Sequence, residues 1–167
     1  AMRFLEDNHM QGTCPASVRL GLEYNGELVA LMTFGKARYN KKIEWELLRF
    51  VTKKYTCVAG GASKLLSSFI KQYDPLSIVS YCDLRWNTGT LYTSIGFNLS
   101  HSSPPNYWYT RDYHTLESRV CYQKHKLATS LVKYDPVLTE WKNMQANGYD
   151  RIWDCGNSVY VWNKTST

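Results

Sequence analysis

No apolar run in the chain approaches the roughly 20 residues that a helix needs to span a bilayer, and nothing at the start has the pattern of a secretory leader. Cysteine occurs five times and always singly (Cys14, Cys57, Cys82, Cys121 and Cys155), with no Cys-x-x-Cys pair and no histidine at zinc-ligand spacing. That pattern predicts reduced thiols in a cytosolic setting and no metal centre. A Walker loop, a His-Glu-x-x-His helix, a Ser-His-Asp order and carboxylate-rich nuclease signatures are missing as well. Any nuclease chemistry associated with the chain is therefore expected in another domain. Acidic residues are in short supply: 14 Asp and Glu stand against 20 Lys and Arg, a net charge of +6. An excess of that sign leans toward an anionic partner.

What is present fits one domain with a real core. The chain has 167 residues, 44% hydrophobic and 20% charged. Arg3 to His9 already reads as the middle of a helix, so a domain cut from a longer protein is expected. Thirteen tyrosines and six tryptophans raise the aromatic share to 14%. Beside an excess of cations this suits nucleic acid, with cations meeting phosphate and rings stacking on bases. It suits equally a tyrosine-rich core under a lysine-rich surface.

Along the chain, residues 3–11 predict a short helix ending before Gly12. Arg19 to Tyr24 and Leu28 to Phe34 predict two strands, with Asn25-Gly26 between them as a hairpin turn. After the polar loop Lys36 to Lys42, Glu44 to Thr52 predicts a third strand. A Gly60-Gly61 turn then leads into an amphipathic helix over Ser63 to Tyr73, broken at Asp74-Pro75. A strand over Ile78 to Leu84, a short helix over Gly89 to Ser94 and a strand over Asn106 to Thr110 complete a mixed α/β order around one central sheet. Farther on, Ser118 to Leu131 suggests a helix, and Thr139 to Ala146 a capped helix ended by Gly148. Residues 151–157 and 159–162 suggest a hairpin across Gly156-Asn157.

Two stretches carry most of the chemical information. Cys57-Val58-Ala59-Gly60-Gly61-Ala62-Ser63-Lys64 joins a strand to a helix, and its glycines bring bare N–H groups to a helix N-terminus, where the dipole favours an anion. Leu91-Tyr92-Thr93-Ser94-Ile95-Gly96-Phe97 places a tyrosine four residues before a Gly-Phe pair. In this order the two resemble the acyl-CoA site of the GNAT superfamily of N-acetyltransferases. Its phosphate loop reads Gln/Arg-x-x-Gly-x-Gly/Ala, met here by Gly60 and Ala62. Cys57 stands at the Gln/Arg position, where a thiol is a poor substitute for a cationic or amide donor. The later element reads roughly Asn-x-x-Ala-x-x-Leu-Tyr-x-x-x-Gly-Phe, met by Asn87, Leu91-Tyr92 and Gly96-Phe97 with two residues fewer after the asparagine.

The resemblance implies an α+β fold with a single mixed, mostly antiparallel central sheet flanked by helices over residues 1–113. A helical and hairpin extension would follow over residues 114–167. It implies acetyl-CoA or another acyl-CoA as cofactor, without metal, held by Val58, Ala59, Gly60, Gly61, Ala62, Ser63 and Asn87. Tyr92 is implied as the acid that protonates the leaving thiolate; the alternative is a buried aromatic with its hydroxyl bonded. For the base that acylation of an amine requires, Glu46 and Asp83 are the candidates. The alternatives are a solvent-facing strand residue for Glu46 and a local ion pair with Arg85 for Asp83.

A second resemblance covers nearly the whole chain. The runs at residues 8–12, 60–65, 83–86, 122–127 and 153–157 are similar to a bacteriophage module found C-terminal to the nuclease domain in homing-type endonucleases. The superfamily also includes phage Mom-type proteins that modify DNA bases. A phage protein in host cytosol is implied, with DNA as partner. Three basic groups are the candidate contacts: Lys36, Arg38, Lys41 and Lys42 in one loop, Arg119, Lys124 and Lys126 on a helix, and Arg85 after the central strand. Two functions follow: an acyl-CoA-dependent N-acyltransferase acting on or near nucleic acid, or a non-catalytic DNA-targeting module on the same fold.

Overall fold

The computed structural model of the chain describes residues 1–165. After α1 (Met2–Asn8), β1 (Val18–Tyr24) and β2 (Glu27–Lys36) form the expected hairpin. Asn25 and Gly26 both take positive φ, 51° and 77°, which matches the right-handed twist of strands joined by two residues. β3 (Trp45–Thr52) pairs antiparallel with the other side of β2. β2 is buried at six consecutive positions, Ala30 to Gly35, so both of its faces are covered.

The chain then forms α2 (Gly61–Tyr73), β4 (Ser77–Asp83), α3 (Thr90–Ser94) and β5 (Asn98–Ser102). Helix α2 buries Ala62, Leu65, Leu66 and Phe69, a single stripe at helical spacing. Phe69 stacks on Phe34 of β2 with ring centroids 3.6 Å apart. The helix stops at Asp74, whose φ of 44° leaves the helical region just before Pro75. The last strand, β9 (Asn157–Asn163), returns beside β4, giving the order β1-β2-β3-β4-β9-β5. β3 and β4 pair parallel, whereas β1–β2, β2–β3 and β5–β9 pair antiparallel. The fold is thus mixed α+β with a mostly antiparallel central sheet.

Residues Ser103–Asn157 form a second compact unit. Its three strands, β6 (Tyr107–Thr110), β7 (Glu117–Ser118) and β8 (Asp150–Trp153), lie in the order β7-β6-β8. Short helices α4 (Leu127–Ser130) and α5 (Glu140–Ala146) complete it, and α5 is capped by the Thr139 hydroxyl accepting from Lys142 N–H. The core is largely tyrosine: Tyr109, Tyr122 and Tyr149 with Leu127 and Met144. Their hydroxyls are satisfied internally, Tyr109 donating to Glu140 at 2.7 Å and Tyr122 bonding both Glu117 and Tyr149. The Arg151 guanidinium lies 4.3 Å from the Tyr107 ring and 4.2 Å from the Trp141 ring.

Several sequence expectations are corrected. The first helix ends at Asn8 rather than residue 11, because Gln11 N–H bonds the His9 ring instead of continuing the helix. The strand expected over Asn106 to Thr110 is β6, which belongs to the smaller sheet. The expected helix over Ser118 to Leu131 is two 3-10 turns (Arg119–Tyr122 and Lys124–Lys126) followed by α4. Extended backbone at Gln123 interrupts it. The expected hairpin across Gly156-Asn157 does not form, since β8 pairs with β6 and β9 with β5. Position 113, the expected end of the core, falls inside the second unit, and β9 rejoins the first.

Gly89 is the backbone position this packing constrains most. It has a φ of +84°, and a Cβ there would overlap the Tyr160 hydroxyl. Gly89→Ala combines backbone strain with overpacking and should destabilise the protein by about 3 kcal/mol. Urea unfolding would show this as a lowered midpoint. An unchanged midpoint would mean that the close approach of Gly89 to Tyr160 is not part of the folded state.

Candidate active site

The site begins where two neighbouring strands part. β3 and β4 pair only at Trp45↔Ile78 and Glu46↔Val79. Immediately afterwards the β2–β3 register slips, with Thr33 opposite Arg49 and Phe34 opposite Leu47, so that Leu48 is an extra residue on β3. A bulge of this kind bends and twists its strand. Gly35 makes room for it, since a Cβ there would sit 3.0 Å from Leu48 Cδ1. At the fork the Ser80 hydroxyl donates to the buried Leu47 carbonyl at 2.9 Å.

Beyond the fork the C-terminal ends of β3 and β4 border a cleft of about 290 Å³, lined among others by His9, Arg49, Asp83, Asn87 and Tyr92. A second space of about 400 Å³ runs along Thr52, Cys57, Val58 and the first turn of α2, from Gly60 to Ser63. Phe50 and Leu91 line both spaces, which makes them neighbours. Ala59 lies in the loop between Val58 and Gly60 without lining either.

The loop end has the properties of an anion site. Gly60 precedes α2 with a φ of 66°, no side chain caps the helix, and nothing lies within 4 Å of where a Gly60 Cβ would be. Gly61 N–H is used by the Val58 carbonyl at 3.0 Å. Ala62 and Ser63 N–H belong to the first turn, whose donors have no acceptor inside a helix and which carries the positive end of the dipole. Cys57 is exposed at the edge of this groove.

Tyr92 projects from α3 into the cleft. Its ring stacks on Tyr160 at 5.0 Å and meets Phe97 edge-on at 6.0 Å. Burial pushes its phenol above the ordinary tyrosine value, with the Ser80 hydroxyl pulling the other way. The group is therefore protonated at neutral pH and able to act as an acid. Asp83 also lines the cleft, but Arg85 grips its carboxylate at 2.7 Å and 3.0 Å, and Gln11 donates to it at 3.3 Å. The Arg85 hydrogen bonds hold Asp83 below the usual carboxylate range.

Glu46 is not at the cleft. It lies before the fork, its side chain 1% exposed, and takes Arg38 Nη2 at 2.5 Å and Arg38 N–H at 3.1 Å. It is neither the expected base nor a solvent-facing strand residue, because the Arg38 ion pair fills its hydrogen-bonding capacity. Asn87 lines the cleft rather than the helix N-terminus. Two residues that sequence reasoning missed are His9 and Arg49. Burial, and then the charge of Arg49, lower the His9 pKa; its Nδ1 accepts from Gln11 N–H at 3.1 Å, so the neutral ring presents an Nε2–H donor. Arg49 had a sequence signal: a lone charge in the otherwise apolar run from Leu47 to Val51.

The candidate nucleic-acid residues separate. Lys36 ends β2 over the Trp45 ring, Arg38 is spent on Glu46, and Arg85 on Asp83. Lys41 and Lys42 are exposed in the loop before β3. In the second unit Arg119 lies over Tyr107, Lys126 donates to the Val120 carbonyl and Lys124 is exposed. That unit has seven Lys and Arg against six Asp and Glu, so it is nearly neutral.

Because Asp83 titrates lower when folded, it stabilises the protein above its unfolded pKa of about 3.9. That contribution disappears as pH falls through the folded value. Asp83→Asn should cost about 1 kcal/mol at pH 7, discounted for a partly exposed pair. The gap between variant and wild type should close below about pH 4, as followed by urea unfolding across pH. A gap that is constant with pH would show that the Arg85 pairing is not what the carboxylate contributes.

No family model and no curated protein matches the sequence. Among solved structures, the chain is similar to a GNAT-family acetyltransferase from Bacillus cereus, with 11% identity over 89% of this chain and 71% of that one and a TM-score of 0.48. It is also similar to an aminoglycoside 6'-acetyltransferase type Ii, with 13% identity, 89% and 70% coverage and a TM-score of 0.48. An N-acetyltransferase from Staphylococcus aureus gives 15% identity, 87% and 66% coverage and a TM-score of 0.47. Likeness at this level says nothing of activity; the groove and cleft of this chain carry its functional reading.

Proposed function

We propose that the first unit binds acyl-CoA and transfers the acyl group to an amine. One observation carries this reading: the space along an uncapped helix N-terminus adjoins, through Phe50 and Leu91, a cleft lined by a partly buried, protonated tyrosine. The first turn of α2 would hold the pyrophosphate on the N–H groups of Ala62 and Ser63. The freed stretch of β3 beyond Leu48 would flank the extended arm, and the thioester end would reach Tyr92. Acyl-CoA, when bound, supplies a thioester whose C–S bond breaks as the acceptor nitrogen bonds to the acyl carbon.

Tyr92 gives its proton to the departing sulfur, and its raised pKa keeps that proton in place until needed. The proton that the nitrogen loses restores the phenol, so the exchange balances within the cleft. Among the described residues no carboxylate there is a free base, since Asp83 is occupied by Arg85 and Gln11 and Glu46 lies elsewhere. The acceptor must then enter as the neutral amine, and the Nε2–H of His9 is a donor available to the acyl oxygen.

Two variants test the two ends of the groove. Gly60→Asp places its Cβ in open space and adds a negative charge beside the phosphate site. It should keep the fold at a cost of about 1 kcal/mol for an aspartate held in the left-handed region, and bind CoA at least about tenfold more weakly by calorimetry. Wild-type protein that takes up no CoA at millimolar ligand would sink the reading. Tyr92→Phe should cut turnover by about 10²-fold and leave CoA affinity unchanged. With Tyr92 intact, its ionisation should not reduce the rate below about pH 10, the ordinary tyrosine value. Equal turnover in both proteins would remove Tyr92 from the chemistry.

A further inference from the structure

The acceptor side of the cleft has an uneven charge. Among the described residues Asp83 is the sole carboxylate in its lining, and Arg85 neutralises it. His9 is neutral at physiological pH. That leaves Arg49, half-buried on β3 just past the bulge. Its guanidinium donates from Nε to the Gly12 carbonyl at 3.4 Å and from Nη1 to the Leu48 carbonyl at 2.8 Å. Among the described residues it has no carboxylate partner, and these two bonds engage only part of its five-donor fork. A half-buried guanidinium that lines a cleft with donors to spare and no counter-charge is suited to an anionic ligand. The two carbonyl bonds fix its direction, so the fork is organised before any ligand arrives.

Resting on the acyl-transfer reading above, we propose that Arg49 is the acceptor's anchor: the substrate is a small amine that carries an anionic group, carboxylate or phosphate, within a few bonds of its nitrogen. Arg49 would take that group in a forked, charge-assisted pair. The same positive charge opposes protonation of a nearby amine, which suits a cleft without a free base. A cleft of about 290 Å³ admits an amino acid or an aminoalkyl phosphate more readily than a base within a nucleic acid.

The test pairs acceptors that differ only in the anion. With acetyl-CoA present, release of free thiol is followed for the common amino acids beside their amides, and for O-phosphoethanolamine beside ethanolamine. The same compounds are titrated into the CoA-bound protein and its thermal midpoint recorded. At least one anionic amine should both raise the midpoint and turn over about tenfold or more better than its neutral partner. Whether carboxylates or phosphate lead identifies the anion. In Arg49→Met the preference and the midpoint rise should vanish with CoA affinity retained, while Arg49→Lys keeps part of both. Arg49→Met also releases the Gly12 and Leu48 carbonyls, so its fold is checked by its CoA affinity; should it fail, Arg49→Lys carries the comparison. Neutral amines that do equally well would overturn the proposal, as would turnover confined to a DNA oligonucleotide or a preference that survives in Arg49→Met. Failure of the wild type to bind CoA would instead count against the acyl-transfer reading itself.

Discussion

β3 has a strand partner on each side at its beginning and on one side only at its end, and the site depends on that change. The extra residue at Leu48 turns the strand away from β4 just after Glu46↔Val79. Gly35 gives Leu48 the space to pack, and Ser80 donates to the Leu47 carbonyl at the fork. Parallel strands normally keep their edges paired along their length. Here the interruption leaves a strand edge beside the uncapped N-terminus of α2. An extended ligand with an anionic end suits such a place.

The chemistry follows from how the neighbouring charges are spent. Arg38 is committed to Glu46 on the closed side of the fork, and Arg85 to Asp83 on the open side. Tyr92 is wedged against Tyr160, which the absent side chain of Gly89 allows to approach the backbone. Among the described residues the cleft therefore offers a phenol, a neutral imidazole and one uncompensated cation, but no free carboxylate. For the acyl transfer proposed above, that inventory favours an amine that is already deprotonated over abstraction of a proton by the protein.

Local signals made much of this visible in the sequence. Asn25-Gly26 specified its hairpin because few other pairs accept two positive φ angles in succession. The spacing of Ala62, Leu65, Leu66 and Phe69 specified α2, and Thr139 capped α5 as its hydroxyl predicts. What escaped notice depends on partners far along the chain. β8 and β9 read as one hairpin because their alternation is local, yet each is claimed by a different sheet. Glu46 read as a cleft base because its burial beside Arg38 comes from the loop after β2 turning back on the strand. β5 has an exposed, polar pattern with no periodic signature, and only its pairing with β9 makes it a strand.

The second unit shows where the aromatic excess goes. Tyr107, Tyr109, Tyr122, Tyr149 and Trp141 pack around one another, with Glu140 and Arg151 holding hydroxyls and ring faces. Composition alone left a stacking surface for bases and a tyrosine core equally open; this cluster belongs to the second. Whether the opened edge of β3 and the start of α2 together form a ligand groove is tested most directly by amide hydrogen exchange with and without CoA. CoA should slow exchange at residues 50–52 and 62–64 together, leaving the second unit unaffected. Protection at neither stretch, or in the second unit alone, would contradict the account.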